Sequence, residues 1–393
     1  ILHLVNGSIE ATRARSGLYY YGGQGLLGDL DGYFERVVAV FHFTRRRGSE
    51  RLSETTELVD YHLDAVGFLE RLGLHALRVA INELGYLFYL SRRIRADGVR
   101  FIQVTEPYVS GFNGALLAGL TGSDLAVLVT SDYDAHYRLL GRPTFEALRS
   151  RKLEKRIERF VFRHARLVVA DRRYYADYAL RNGARPEAVH VFPMSVHPAF
   201  YREPPDPLDA RRRIGFDRGR YLLYVGRLSS EKHVSDLIEV LRQLNSWGHA
   251  PRLAIAGDGP LREPLAARAG ELGLGERLLF LGQLGVEDLR LAYAAADVIL
   301  GTHMGFTLLE AALSAGTVVA YDWEWHSEIV SQGETGRLVP FGDTAAMAAA
   351  ARDLLADPEA RRLGRKARGA CIDAYRPGRN VEHLRLVYSR ILG

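Results

Sequence analysis

Tyr221-Leu222-Leu223-Tyr224-Val225-Gly226-Arg227-Leu228-Ser229-Ser230-Glu231-Lys232 begins as an unbroken apolar run and ends as a glycine turn that carries two cations. An apolar run without alternation fits a strand covered on both faces, as in a parallel sheet. The residues that follow repeat the plan. A helical segment spans Val234–Trp247, with apolar positions at Val234, Leu237, Ile238 and Leu241. Strand-like Arg252–Ala256 comes next, then a Gly257-Asp258-Gly259-Pro260 turn and a helix ending near Gly273. Strand Leu278–Leu281, helix Val286–Ala295, strand Asp297–Leu300, helix Thr307–Ala315 and strand Thr317–Ala320 continue it. This alternation predicts βαβ units and a parallel sheet.

The N-terminal half follows the same plan less regularly. Ile1–Val5, Arg36–Phe41, Val99–Val104, Leu125–Thr130, Leu167–Ala170 and Ala188–Phe192 read as strands. Leu69–Ala96 and Thr144–His164 read as helices between them. A chain of 393 residues is too long for one core, and two domains are expected. The stretch Met194–Arg218, with Pro198, Pro204, Pro205 and Pro207, reads as the join.

Composition narrows the class. Hydrophobic residues make up 47% and charged residues 25%, as in ordinary soluble domains, which argues against disorder and coiled coil. No run approaches the ~20 apolar residues of a membrane span. Ile1–Val5 lacks the basic flank of a signal peptide and reads as a buried strand. The chain opens on Ile1 rather than Met, which leaves an upstream segment open. One cysteine, Cys371, rules out an intrachain disulfide or a cysteine-rich metal site and fits a cytoplasmic setting. A net charge of +5 and a pI near 9.2 suit an anionic partner without choosing one.

In parallel α/β sheets ligands bind where strands turn into helices. Four such turns carry chemistry. Arg227 and Lys232, five residues apart after Gly226, can neutralise a phosphate leaving group; the alternative is a pair of solvated surface cations. Gly301-Thr302-His303-Met304-Gly305-Phe306-Thr307-Leu308-Leu309-Glu310 opens a helix whose first amides can hold phosphate oxygens, with Glu310 one turn inside. Gly257 and Gly259 permit a tight turn. Gln283 and Leu284, after Phe280-Leu281-Gly282, end a fourth strand and can offer backbone to a base edge.

Taken in order, Gly226-Arg227 with Lys232, Gly257-Asp258-Gly259-Pro260, Phe280-Leu281-Gly282, Glu310-Ala311 and Glu334-Thr335-Gly336-Arg337-Leu338-Val339-Pro340 resemble the family-4, or group 1, retaining glycosyltransferases. The likeness is dense from Tyr221 to about Asp357 and looser before it, where it includes Val191-Phe192-Pro193. It implies an α/β protein of the GT-B fold, two Rossmann-like domains with parallel sheets facing across a cleft. Residues 1–197 form the acceptor domain, 198–372 the donor domain, and 373–393 a helical segment packing back toward the first. Arg227 and Lys232 are expected to hold the donor diphosphate and Glu310 the ribose. The amides of Gly305, Phe306 and Thr307 are expected at the phosphate or donor sugar, and Gln283 and Leu284 near the base. Tyr21-Gly22-Gly23-Gln24 resembles the family's Gly-Gly loop, which closes over the phosphates. The resemblance implies no metal ion and no cofactor, with a nucleotide diphosphate sugar as co-substrate; Glu310 suits uridine or guanosine alike, and UDP is placed ahead of GDP only as the commoner donor. The acceptor is a hydroxyl of a glycan, a lipid-linked sugar or a small molecule.

Departures from the family pattern bear on the donor sugar. The family carries two glutamates eight positions apart; Thr302 stands where the first would be, and His303 beside it is a candidate substitute. Asp322-Trp323-Glu324-Trp325-His326-Ser327-Glu328 replaces a loop that often holds a glycine pair, and its bulk either shapes a donor or acceptor pocket or packs between the domains. Many relatives place a histidine where Ser131 stands; His136 either reaches the donor sugar or is an ordinary helix-start histidine. Tyr21, Glu106, Tyr108, Ser131 and Asp132 are acceptor-side candidates, with a capped turn as the alternative for Glu106 and Tyr108. Arg149–Arg166 sets a basic face beside Leu153, Ile157, Phe160 and Val161. Such a helix either lies on anionic lipid at the inner membrane face or is solvated and paired through Glu154 and Glu158.

Four other readings stay in view. A nucleotide-sugar binding protein with little or no transfer is suggested by Thr302. A nucleotide-sugar epimerase can share the two-domain shape, but the Arg227–Lys232 spacing suits it less. A dinucleotide-dependent oxidoreductase would need a strand–Gly-x-Gly-x-x-Gly–helix unit, which neither half opens with. Nucleic-acid binding would explain the charge but not the ordered turns.

Overall fold

The computed structural model describes residues 1–6, 8–10, 12, 28–42, 47–62, 66–67, 69, 72–144, 150–193, 196–216, 219–376 and 378–392. The chain divides into two compact units, Ile1–Met194 with Gly378–Gly393, and Ser195–Pro377.

Unit 1 is built on strands β1 (Leu2–Asn6), β2 (Val37–His42), β3 (Gly48–Arg51), β4 (Thr56–Asp60), β5 (Phe101–Val104), β6 (Asp124–Val129), β7 (Leu167–Ala170) and β8 (Val189–Val191), in the order β3-β4-β2-β1-β5-β6-β7-β8. All neighbours are parallel except β3 and β4. Helices α1 (His75–Ala96), α2 (Val109–Thr121), α3 (Tyr133–Leu140), α4 (Arg151–His164) and α5 (Arg173–Arg181) connect the later strands. The apolar runs read from sequence are the central strands, because a strand buried on both faces needs apolar residues throughout. The edge pair β3–β4 escaped that reading. Gly48-Ser49-Glu50-Arg51 has no apolar residue and is mostly exposed, so it leaves no hydrophobic period.

Unit 2 carries β9 (Tyr221–Val225), β10 (Arg252–Ala256), β11 (Leu278–Gly282), β12 (Val298–Gly301), β13 (Val318–Asp322) and β14 (Arg337–Pro340), all parallel, in the order β11-β10-β9-β12-β13-β14. Helices α6 (Pro207–Ile214), α7 (Ser235–Ser246), α8 (Arg262–Glu271), α9 (Val286–Ala295), α10 (Phe306–Leu313), α11 (Thr344–Ala356) and α12 (Arg361–Ala374) join and cover them. Every residue of β9 is buried, and Leu237, Ile238, Leu241 and Leu244 of α7 pack with Leu222, Leu253 and Ile255. Each such side chain stabilises the unit by about 1.5–3 kcal/mol. From β9 the chain steps outward to β10 and β11, then returns to the other side of β9 as β12. The sheet therefore reverses direction between β9 and β12, where an open parallel sheet leaves a crevice at its carboxyl edge.

Helix α13 (Arg379–Leu392) belongs to unit 1. Buried Tyr388 donates a 2.7 Å hydrogen bond to Gln103 Oε1 on β5 and sets its ring edge-to-face with Phe34 and Phe101, centroids 5.0 Å away in both. Arg385 donates from Nε to the Leu30 carbonyl at 2.7 Å. Tyr388→Ala is expected to destabilise unit 1 by about 3–5 kcal/mol. Amide hydrogen exchange checks it: β1 and β5 should lose protection while β9 and β12 keep theirs.

Candidate functional site

The turns after β9, β10 and β11 are laced together by backbone. Gly226 N–H donates to Ala256 O at 3.0 Å, Leu228 N–H to Asp258 O at 3.0 Å, and Gly257 N–H to Gly282 O at 2.7 Å. Leu228 O accepts in turn from Leu261 N–H at 3.0 Å. The close approach explains the glycines. Gly257 has φ +144°, and a Cβ there would lie 1.9 Å from Gly226 O. At Gly259 a Cβ would lie 2.4 Å from Leu228 O. Both contacts are with backbone, which cannot swing aside.

The second side of the crevice holds the cation-bearing turn. Thr302, just past β12, is buried, and its hydroxyl donates to Lys232 O at 2.6 Å. The same hydroxyl is hydrogen-bonded with the buried phenol of Tyr224. His303 lies with Nδ1 2.7 Å from Glu231 O. A carbonyl only accepts, so Nδ1 carries the proton. Trp323 meets the His303 ring edge-on at 6.0 Å and stacks on Phe341 at 4.1 Å. Buried His326 ties the next strand in, its ring nitrogens 2.8 Å from Tyr321 O and 3.0 Å from Met304 O. The bulky 322–328 loop thus packs within unit 2.

These contacts fix Lys232 on a partly buried 3-10 turn. Its ammonium has no carboxylate within ion-pair distance among the described residues, and burial, with the Arg227 charge, lowers its pKa. Arg227 is largely exposed, 3.6 Å from Glu231 Oε1. Three residues past Thr302, α10 opens after Gly305 with no side-chain cap and no acid in its first turn, so its N-terminal amides and dipole favour an anion. Glu310, one turn in, receives the Tyr293 hydroxyl at 3.2 Å, and burial raises its carboxyl pKa to about 7. Gln283 and Leu284 follow β11 at the edge of the sheet, two strands from β9.

Two family models cover the units in turn: a glycosyl transferase 4-like domain matches residues 30–194, and glycosyl transferases group 1 matches 209–370. The chain belongs to the group 1 glycosyltransferases. It is 32% identical over 157 residues to the α-D-kanosaminyltransferase of Streptomyces kanamyceticus, 39% of this chain and 41% of that enzyme, so the match spans about two fifths of that relative's length. The whole chain superposes on sucrose-phosphate synthase of Thermosynechococcus elongatus, TM-score 0.76 with 20% identity, covering 100% of this chain and 99% of that one. It also resembles Anabaena HepE, solved in complex with UDP-glucose, TM-score 0.71 with 16% identity over 99% of each chain. These likenesses show the fold, two Rossmann-like units of the GT-B type.

In unit 1 the structure gives several expected side chains partners of their own. Glu106 accepts the backbone N–H groups of Tyr108 and Ser110 and, at 3.2 Å, the Asn6 amide; burial raises its pKa. It caps the entry to α2. Tyr108 is fully buried, its hydroxyl donating to Glu158 at 3.2 Å, which takes it out of any open surface. Asp132 is also buried and caps α3, accepting from Asp134 and Ala135 N–H at 2.8 and 2.9 Å. Ser131 follows β6 half-buried, and His136 sits in the first turn of α3 with its ring edge-on to Tyr133. Tyr21, Gly22, Gly23 and Gln24 lie outside the described residues.

Sequence reading passed over two residues. Asp134, two positions after Asp132, binds Arg151 and Lys155 and accepts from Asn182 at 2.9 Å. Tyr293 supplies the contact that holds Glu310; as an interior tyrosine on α9 it had no signal distinguishing it from core.

Two outcomes follow from this geometry. Gly257→Ala should break the β9–β10 turn lacing and lower the melting temperature by several degrees, whereas Gly248→Ala, with open space around it, should cost less. Glu310 makes stability pH-dependent. Between about 4.5 and about 7 the folded chain holds a proton that the unfolded chain has released, so stability falls as pH rises through that window. The loss is roughly 3 kcal/mol. Glu310→Gln, neutral throughout, should therefore gain on the wild type in melting temperature from pH 5 to pH 8.

Proposed function

We propose that the protein is a retaining glycosyltransferase that transfers a sugar from a nucleotide diphosphate donor, UDP-linked ahead of GDP-linked, to an acceptor hydroxyl without a metal ion. The observation that carries this reading is Lys232. A partly buried ammonium without a direct ion pair among the described residues, its backbone clamped by Thr302 and His303 in the turn that leads into an uncapped helix N-terminus, is an incomplete electrostatic arrangement. A diphosphate completes it, since an anion beside Lys232 offsets the desolvation that lowers its pKa.

In this reading the β-phosphate lies between Lys232, Arg227 and the amides of Gly305, Phe306 and Thr307. Glu310 accepts from the ribose hydroxyls, and Gln283 and Leu284 stand toward the base. The bond from the sugar's anomeric carbon to the phosphate oxygen breaks, and charge accumulates on the departing diphosphate, where the two cations and the helix dipole stabilise it. The acceptor oxygen bonds to the anomeric carbon on the same face, and its proton passes to the leaving phosphate oxygen. Products are the glycoside and the nucleoside diphosphate. The UDP preference is supported by the UDP-glucose bound to the structural relative HepE.

Thr302 favours a second reading, a nucleotide-sugar binder with weak transfer. Its hydroxyl is committed to Lys232 O and Tyr224, so it positions the cation instead of offering a carboxylate to the sugar. A donor-hydrolysis and transfer assay separates the two readings.

Calorimetry with UDP and GDP in chelator tests the site. Lys232→Ala is expected to weaken binding of the preferred nucleotide at least tenfold, and adding Arg227→Ala to deepen the loss, as removal of charge-assisted hydrogen bonds does. Undiminished binding in the double variant would place the diphosphate elsewhere. Because the ribose is bound by the Glu310 carboxylate in this reading, wild-type affinity should rise from pH 6 to pH 8, and that rise should vanish in Glu310→Gln.

A further inference from the structure

Thr302 leaves the turn into α10 short of a carboxylate. It is fully buried, with its hydroxyl committed to Lys232 O and the Tyr224 phenol. No acid stands between it and Glu310 in the chain.

The adjoining strand brings one. β13 runs parallel beside β12 with Ala320 opposite Gly301, so the loops after both strands leave the sheet at the same edge. Glu324, two residues past β13, comes to the clamped turn: a carboxylate oxygen lies within 4.8 Å of a His303 ring nitrogen. Its charge is felt at Lys232 as well, where it acts to raise the ammonium's pKa without reaching ion-pair distance.

The backbone of the loop holds it there at a cost. Glu324 has φ +48°, the left-handed region that a residue with a Cβ enters unfavourably and a glycine enters freely. Its neighbours on both sides are anchored within unit 2. Trp323 stacks on Phe341 at 4.1 Å, and its carbonyl accepts the His326 N–H at 3.0 Å. Buried Trp325 and His326 follow, the latter bridging Tyr321 O and Met304 O. The packing of the loop is carried by these rings. A costly conformation is thus kept at a half-buried acid beside the Lys232 turn, and strain retained in this way points to function.

We propose that Glu324 is the donor-sugar carboxylate of this protein, accepting hydrogen bonds from neighbouring hydroxyls of the transferred sugar, a part that Thr302 does not take. The inference rests on the diphosphate site proposed above and extends it. With the β-phosphate at Lys232, the sugar bonded to that phosphate lies beside the turn that Glu324 borders. A carboxylate only accepts, through two oxygens, so it suits a neutral hexose with adjacent hydroxyls. Like charge makes it reject a sugar that is itself a carboxylate, such as a uronic acid.

Calorimetry with UDP, UDP-glucose and UDP-glucuronate, with GDP and GDP-mannose in parallel, is the test, on wild type, Glu324→Gln and Glu324→Gly. Both variants should bind the neutral sugar conjugate about tenfold or more weakly. Both should bind the bare diphosphate as tightly as wild type or more tightly, since a negative charge near Lys232 is gone. The preference for UDP-glucose over UDP-glucuronate should narrow in Glu324→Gln. Glu324→Gly should show the same loss with a melting temperature unchanged or raised, which separates removal of the carboxylate from damage to the loop. Conjugate and diphosphate affinities that move together, or not at all, overturn the proposal; moving together would make Glu324 a counter-charge to Lys232 alone. A wild type that binds no nucleotide, or a Lys232→Ala/Arg227→Ala variant that binds undiminished, is a failure of the diphosphate site and takes this inference with it.

Discussion

The arrangement of unit 2 depends on one constraint, the backbone-to-backbone packing of the turns that follow β9 and β10. Gly226 and Leu228 donate to the Ala256 and Asp258 carbonyls and Gly257 to that of Gly282, and the approach leaves no volume for a Cβ at Gly257 or Gly259. That lacing holds one flank of the Arg227–Lys232 turn. Thr302 and His303 hold the other by gripping the Glu231 and Lys232 carbonyls. A flexible lysine is thereby carried on a rigid backbone, which is what an anion site needs if its charge is to meet the ligand without reorganising.

Burial does different work in the two units. In unit 2 it lowers the pKa of Lys232, which has no carboxylate at ion-pair distance among the described residues, and raises the Glu310 carboxyl toward neutrality, so both groups change state most readily when a partner arrives. In unit 1 it encloses satisfied polar groups. Tyr108, Tyr178, Glu158 and Lys155 bond one another beneath α4, and removing any one partner would strand a buried charge or hydroxyl. The same network draws the acids of α4 inward and so leaves its outer face basic.

Much of this was legible in the chain. The unbroken apolar run Tyr221–Val225 and its successors located the parallel strands of unit 2, because a doubly covered strand must be apolar at every position. The glycines of Gly257-Asp258-Gly259 were read as turn chemistry, but their reason, contact with another turn's backbone, involves residues some thirty positions away. Glu106, Tyr108 and Asp132 sit at strand ends, where sequence places ligand-facing residues and helix caps alike. Only coordinates tell which way a side chain turns. The edge strand Gly48–Arg51 was invisible because water on both faces removes the pattern.

The sequence by itself determined the fold class, the alternation of strands and helices from Tyr221 to Ala320, and the turns at which charged residues gather, since periodicity, glycine and charge are local properties. The tertiary structure decided which of those residues are committed and which remain available. It placed β12 beside β9, bringing Thr302 and His303 onto the Lys232 turn across a separation of seventy residues. Burial and partnership depend on which distant segments meet, and no window of local sequence contains that information.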